Sequence, residues 1–304
     1  VFFNAVNKRS FSDPPLGWRG LFSFKAWKRL FSKKEMLKTA NNSKSMISVR
    51  GLSKTYKGIK ETKALDNVNF DLNVDDVAVI IGPNGAGKST FINIISGTIE
   101  ATTGKVRIYD SEEMTDFSEI RKYIGICYQE NVFIDTLTCK ENIELFGTFR
   151  GMSKEKLDLF IDEYFSSLQM THMLDTYAKD LSGGQKRKLC IAISILGNPP
   201  FIIMDEPVAG VDVQSRVTIW QTISTLHDVS IIITSHALDE AEAISTEIFI
   251  FSRGRIAFSG TSTELRKKYH CGYILKIEQK ERNFLEIENK INEIIPNTFD
   301  DMGS

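Results

Sequence analysis

Three groups of residues in this chain have side chains and spacings able to do chemistry. Gly82, Pro83, Asn84, Gly85, Ala86, Gly87, Lys88 and Ser89 match the pattern G-x-x-x-x-G-K-S, set between the apolar runs 77–81 and 91–95. Glycines let such a loop turn its N–H groups inward, and a helix starting at Lys88 adds its positive dipole end. The Lys88 ammonium can reach outer phosphates and the Ser89 hydroxyl can ligate Mg²⁺, so a nucleoside triphosphate is the expected ligand. Asp205 and Glu206 follow the apolar run 201–204, and Pro207 ends the element. Two carboxylates at a strand end have separable jobs: Asp205 is placed to hold Mg²⁺, and Glu206 to polarise the water that attacks a γ-phosphate. In the third group, Ser182 precedes Gln185 as a capping box around the bare Gly183 and Gly184. A helix N-terminus of this kind offers unsatisfied N–H groups to an anion.

Two single residues extend the set. His236 follows Ile231, Ile232 and Ile233 at a further strand end, where an imidazole could hydrogen-bond a γ-phosphate oxygen. Gln129 ends the strand-like segment 123–128, and its amide could touch Mg²⁺ or the lytic water.

These side chains need rigid elements beneath them. The runs 77–81, 123–128, 201–204 and 231–233 are short and apolar, which predicts strands of a buried, mostly parallel sheet. Leu189, Ile193 and Leu196 mark the helix opened at Ser182, and Gly197 and Pro199 close it. Thr138 with Glu141 is a second capping box, and it opens a helical stretch continuing through Leu157, Phe160, Ile161, Tyr164, Phe165 and Leu168. Arg253 and Gly254 sit between the alternating runs 247–251 and 255–258, which predicts a hairpin. A strand from Tyr273 and a helix from Phe284 to Ile295 are expected beyond it.

The phosphate loop, the pentapeptide Leu181 to Gln185, the Asp205 and Glu206 pair and His236, in this order, resemble the nucleotide-binding domain of ABC transporters. The resemblance covers Met46 to Leu265 and implies a P-loop NTPase fold of α/β class, with a mostly parallel sheet, an antiparallel β subdomain and a helical subdomain at about 135–185. It implies ATP and Mg²⁺ as cofactors. The family assigns the phosphate cradle to residues 82–90, including Thr90, and adenine stacking to Tyr56. It assigns the γ-phosphate contact across a dimer to Ser182, Gly183, Gly184 and Gln185, and the link between the two sites to Asp212. Ser89, Gln129 and Asp205 are implied as metal contacts, and Lys88, Gln129, Glu206 and His236 as catalytic.

Lys186, Arg187 and Lys188, the run 209–212 with Ser215, Arg216, Ile219 and Trp220, and the run 238–241 resemble the A subfamily. So does Gly260, Thr261 and Ser262 leading to Lys268, Tyr269 and the run 272–275. Members of that subfamily mostly move lipids or sterols. Val208 stands where a threonine is usual and Val213 where a proline is usual, departures that touch the turn after Glu206 and the loop holding Asp212.

Composition bounds the rest. The chain has 304 residues, 42% of them hydrophobic and 25% charged, with a net charge of −1 that argues against a global nucleic-acid binder. Cys127, Cys139, Cys190 and Cys271 lack C-x-x-C spacing, so neither zinc nor a disulfide framework is expected and a reducing compartment is the simplest. No run reaches the roughly 18 apolar residues of a membrane span. Residues 1–45 are basic and aromatic, with Phe24, Trp27, Leu30 and Phe31 at helical spacing. They suit an interfacial helix on an anionic leaflet, a linker packed on the chain's own domain, or a nucleic-acid arm.

Both ends read as cut from something larger, with residues 266–304 opening a regulatory β/α domain. The expected partners are a second nucleotide-binding domain, the coupling helices of a transmembrane domain and a lipid surface, with no nucleic acid. The expected location is the cytoplasmic face of a membrane. A soluble ABC-type ATPase acting on ribosomes or nucleic acid, and a module that binds ATP without hydrolysing it, are the alternative readings.

Overall fold

The computed structural model describes residues 45–58, 61–108, 123–236 and 243–269. The basic aromatic segment, the run 238–241, Cys271 and the elements expected from Tyr273 to Ile295 lie outside them.

Two sheets form the frame. β1 (Ser45–Tyr56) pairs antiparallel with β2 (Thr62–Asn73) and β4 (Thr103–Ile108), giving a sheet of order β2-β1-β4. The second sheet has order β5-β6-β7-β3-β8-β9, built from β3 (Val77–Ile81), β5 (Ile124–Cys127), β6 (Phe201–Asp205), β7 (Ser230–Ser235), β8 (Glu247–Ser252) and β9 (Arg255–Gly260). It is parallel from β5 to β8, and β9 returns antiparallel through the Arg253 and Gly254 turn. The expected hairpin and the four short apolar strands are all present.

Each strand of the parallel sheet is buried on both faces, which is why its sequence is continuous rather than alternating. Ile202, Met204, Ile231 and Ile233 face a core shared with helices, whereas Phe201, Ile203, Ile232 and Ile80 face a second core shared with the antiparallel sheet. α1 (Lys88–Ile95) belongs to that second core. Its Phe91 ring lies 5.2 Å from Phe70 and 5.3 Å from Phe251, so the helix that starts at the phosphate loop is pinned between β2 and β8. Such ring pairs add about 0.5–1.5 kcal/mol each beyond their buried area.

The stretch expected to run helical from Thr138 through Leu168 is two helices, α2 (Cys139–Phe149) and α3 (Lys154–Ser167). Gly151 breaks it at φ 72, its N–H donating to Thr148 O at 2.9 Å while Met152 N–H reaches Gly147 O at 3.0 Å. Those two bonds are the Schellman pattern that ends a helix. α4 (Gly183–Ile195), α5 (Val213–Ser224) and α6 (Ser262–Tyr269) are further α-helices, and 3-10 turns at Thr171–Met173 and Ala178–Asp180 lie between α3 and α4.

Both expected capping boxes are formed. Thr138 Oγ1 accepts from Glu141 N–H at 3.2 Å and Glu141 Oε2 accepts from Thr138 N–H at 2.8 Å. Ser182 Oγ accepts from Gln185 N–H at 3.4 Å and Gln185 Oε1 accepts from Ser182 N–H at 2.8 Å. α4 is more deeply set than a single apolar stripe predicts, because every residue from Arg187 to Ala192 is buried. None of the described helices is long and apolar enough to cross a membrane.

Candidate functional site

The parallel register brings the chemistry to one edge. β3, β7, β6 and β5 are successive neighbours, and Asp205 pairs with Thr234, which pairs in turn with Ile80. Their carboxyl ends therefore stop at one level, where ligands of open α/β sheets bind. The phosphate loop leaves β3 there, Glu206 leaves β6, His236 leaves β7 and Gln129 follows β5.

In the loop, Gly85 has φ 78 and Gly87 has φ 106, both left-handed. An added Cβ on Gly87 would stand 2.6 Å from Ala64 O, and one on Gly82 would stand 2.4 Å from Phe251 O. Around Gly85 nothing lies within 4 Å of that position. Gly82 and Gly87 thus let the loop lie against β2 and β8, while Gly85 keeps its outer surface open. Pro83, Asn84 and Gly85 are exposed, and Ala86 is buried beneath them.

The loop is fastened from behind: Gly254 N–H donates to Ala86 O and Asp66 N–H to Gly254 O, both at 2.9 Å. α1 starts at Gly87 without any side-chain cap, so its first N–H groups face the loop interior, with exposed Ser89 and half-buried Thr90 in its first turn. Lys88 is 5% exposed and donates to Gly82 O at 2.7 Å and Pro83 O at 3.3 Å. Burial pulls its ammonium below the usual lysine range, against the opposing pull of the Glu206 and Asp205 carboxylates.

The carboxylates form a compact cluster. Glu206 Oε1 lies 2.5 Å from His236 Nε2, and Glu206 Oε2 accepts from Gln129 Nε2 at 3.3 Å. Thr234 Oγ1 donates to Asp205 Oδ1 at 2.5 Å and accepts from Glu206 N–H at 2.8 Å. Glu206 itself has φ 48, a left-handed conformation that costs a non-glycine residue about 1–3 kcal/mol and persists only where its surroundings impose it.

The Ser182 to Gln185 turn and Asp212 make a second cluster. Asp212 caps α5, accepting from Ser215 N–H at 2.9 Å, a bond that holds its carboxyl below the usual aspartate range. An added Cβ on Gly184 would meet Ser215 Oγ at 2.6 Å and Asp212 Oδ2 at 2.7 Å, whereas Gly183 is exposed and has nothing within 4 Å. No hydrogen bond among the described residues joins this cluster's side chains to Lys88, Glu206 or His236. Tyr56, at the end of β1, is 44% exposed with the Lys54 ammonium 5.3 Å from its ring centre.

Two residues of this edge had no role at the site assigned from sequence. Thr234 was detectable as a hydroxyl two positions before His236, at the strand level of Asp205. Arg187 hides in the basic triplet 186–188. Its clue is the spacing of four that places it in line with Ile191 and Ile195, on a buried flank of α4.

Comparison with known proteins decides the family. Residues 65–209 match the family model described as ABC transporter. ATP-binding cassette sub-family A member 10 of Homo sapiens is 37% identical over 245 residues, which is 79% of this chain and 16% of that protein. The chain belongs to the ABC transporter family. ABC-type organic anion transporter ABCA8B of Mus musculus is 36% identical over 244 residues, 79% of this chain and 15% of its own length. The chain therefore spans about one sixth of these relatives. A dimeric ATP-binding cassette solved in a post-hydrolysis state with ADP and Pi superposes with a TM-score of 0.66 at 29% identity, covering 71% of this chain and 98% of that one. This ABC domain is an ATPase domain, and the A subfamily supplies the similar relatives named here.

Proposed function

We propose that this ABC domain is the ATP-hydrolysing motor of a multi-pass transporter that works as a sandwich of two nucleotide-binding domains. The observation that carries the reading is Glu206, held at the strand edge between Gln129 and His236 and one residue beyond Asp205. Residues 82–90 would wrap the phosphates with Lys88 turning from its own loop carbonyls onto them, and Tyr56 would stack on adenine. Asp205, Ser89 and Gln129 would hold Mg²⁺. Their oxygens are the hard donors that ion takes, and no group of three or more His, Cys, Asp or Glu able to hold a metal ion by itself exists among the described residues, so phosphate oxygens and water would complete its shell. When bound, Mg²⁺ supplies charge neutralisation on the phosphates.

His236 blocks one Glu206 oxygen in this structure. Hydrolysis requires His236 to turn onto a γ-phosphate oxygen, freeing Glu206 to orient the attacking water, and Ser182, Gly183, Gly184 and Gln185 of an opposing domain to close the site. Asp212, packed against Gly184, would tie the two sites together. Glu130 and Val132 line a groove with Tyr128, Phe146 and Arg150, which suits the coupling helix of a transmembrane domain. A lipid or sterol is the proposed cargo, and the organic anions named for one relative are the second reading. The proposed place is the cytoplasmic face of a membrane, with residues 1–45 on its surface, 46–265 as the ATPase domain and 266–304 opening a further one.

Glu206→Gln tests the core of this. Filter binding of labelled ATP with Mg²⁺ should be unchanged, and phosphate release should fall at least about 100-fold. Release at the unaltered rate would remove Glu206 from its assigned role.

A further inference from the structure

The Arg187 side chain is 3% exposed, and the bonds assigned to it run to backbone carbonyls rather than to any carboxylate. Nε donates to Pro207 O at 2.8 Å, Nη2 to Asp205 O at 2.7 Å and Glu206 O at 2.9 Å, and Nη1 to Tyr128 O at 2.5 Å and Gln129 O at 3.2 Å. All five donors of the guanidinium are used, in a fork that lysine cannot reproduce. The residue sits near the start of α4, and it grips the chain on both sides of the left-handed Glu206 together with the residue that carries the Gln129 amide.

From this geometry we infer that Arg187 is a positioning residue. It locks Gln129 and Glu206 in register with the N-terminus of α4, so that movement of the Ser182 and Gly183 turn is passed to the carboxylate of the same chain. Thr234 holds the Glu206 N–H from the opposite side, so the peptide pivots about the Arg187 fork and not freely. The inference rests on the proposed function, because it takes the Ser182 turn to engage a nucleotide bound by the opposing domain. It adds a direction of coupling: closure of one site is felt by the water-orienting group of the other.

The test pairs two copies of the chain carrying different affinity tags. Arg187→Lys in both copies should lower kcat about 100-fold, the scale of a misplacement of around 1 Å, with KM for ATP changed less than about threefold. In one mixed pair, one copy carries Arg187→Lys and the other Glu206→Gln, so the only intact carboxylate is in the Arg187→Lys copy. In the second, both substitutions are in one copy beside an unaltered partner. Positioning within the chain makes the first pair inactive and leaves the second at about half the unaltered rate, the share of one site. The reverse order, or equal loss in both, overturns the inference.

Amide hydrogen exchange gives a readout without turnover. Arg187→Lys should speed exchange at Glu206 and over 129–131 while α2 and α3 keep their protection, and unchanged exchange at both places also overturns it. If the unaltered chain hydrolyses no ATP, it is the functional reading that fails, and exchange alone then decides the role of Arg187.

Discussion

Gly183 and Gly184 are neighbours, yet an added methyl group would meet open space at the first and Ser215 and Asp212 at the second. Their reasons for being glycine therefore differ. Gly183→Ala should leave urea stability unchanged or raise it by about 0.5 kcal/mol, since alanine favours a helix. Gly184→Ala should lower it by about 1–3 kcal/mol through overpacking against the α5 cap. If Gly183 exists to let a nucleotide approach, Gly183→Ala stops phosphate release while the melting curve stays in place. Retained turnover would make it an ordinary helix start. The same distinction shows what single residues reveal in sequence. Asp205 and Glu206 stand out in the sequence because two acidic groups closing a buried apolar run have few other uses, whereas His236, set off from its run by Thr234 and Ser235, stands out only beside the other motifs. Arg187 does not, because a guanidinium within a basic triplet reads as surface charge, and only the packing of α4 reveals five carbonyls around it.

Among the elements, α2 does more than fill the helical layer. Asn142 is fully buried, takes Ile134 N–H on Oδ1 at 2.8 Å, and donates from Nδ2 to Ile134 O and Thr138 O at 3.0 Å and to Leu137 O at 3.3 Å. One side chain thus holds the turn that follows Gln129 and its groove to a regular helix. Asn142→Ala leaves those buried backbone groups without partners and should lower stability by about 1–3 kcal/mol in a urea titration, with faster hydrogen exchange confined first to 131–138. Exchange spread evenly over α2 and α3 would mean the turn is held by something else. The helix starts at Thr138 and Ser182 were legible from their capping boxes, and the hairpin from its turn residues. The break at Gly151 was not, because the apolar period resumes in α3 almost in phase with α2. The antiparallel sheet was legible only through resemblance, since the register shifts that bend β1 against β2 blur its alternation.

Taken whole, the described part is built on a mostly parallel sheet with a core on each face, one shared with helices and one with the antiparallel sheet. The buried thiols sit where the parallel strands meet the helices. Cys127 ends β5, Cys139 opens α2 and Cys190 lies in α4. All three are buried, and burial pushes the Cys127 thiol up to about 12 and those of Cys139 and Cys190 up to about 11. The thiolate is the reactive form, so at pH 8 these groups react only when the layers separate. Because β3, β5, β6 and β7 each contribute to both cores, that separation requires global opening rather than fraying of one helix. With Cys271 replaced by serine, labelling of the three by an alkylating reagent should rise together with urea and share one midpoint. ATP with Mg²⁺ at 100 times its dissociation constant, binding the folded edge alone, adds about 2.7 kcal/mol and should slow all three labelling rates about 100-fold. Cys190 labelling early and untouched by nucleotide would show that α4 opens apart from the sheet, and the single cooperative unit would have to be abandoned.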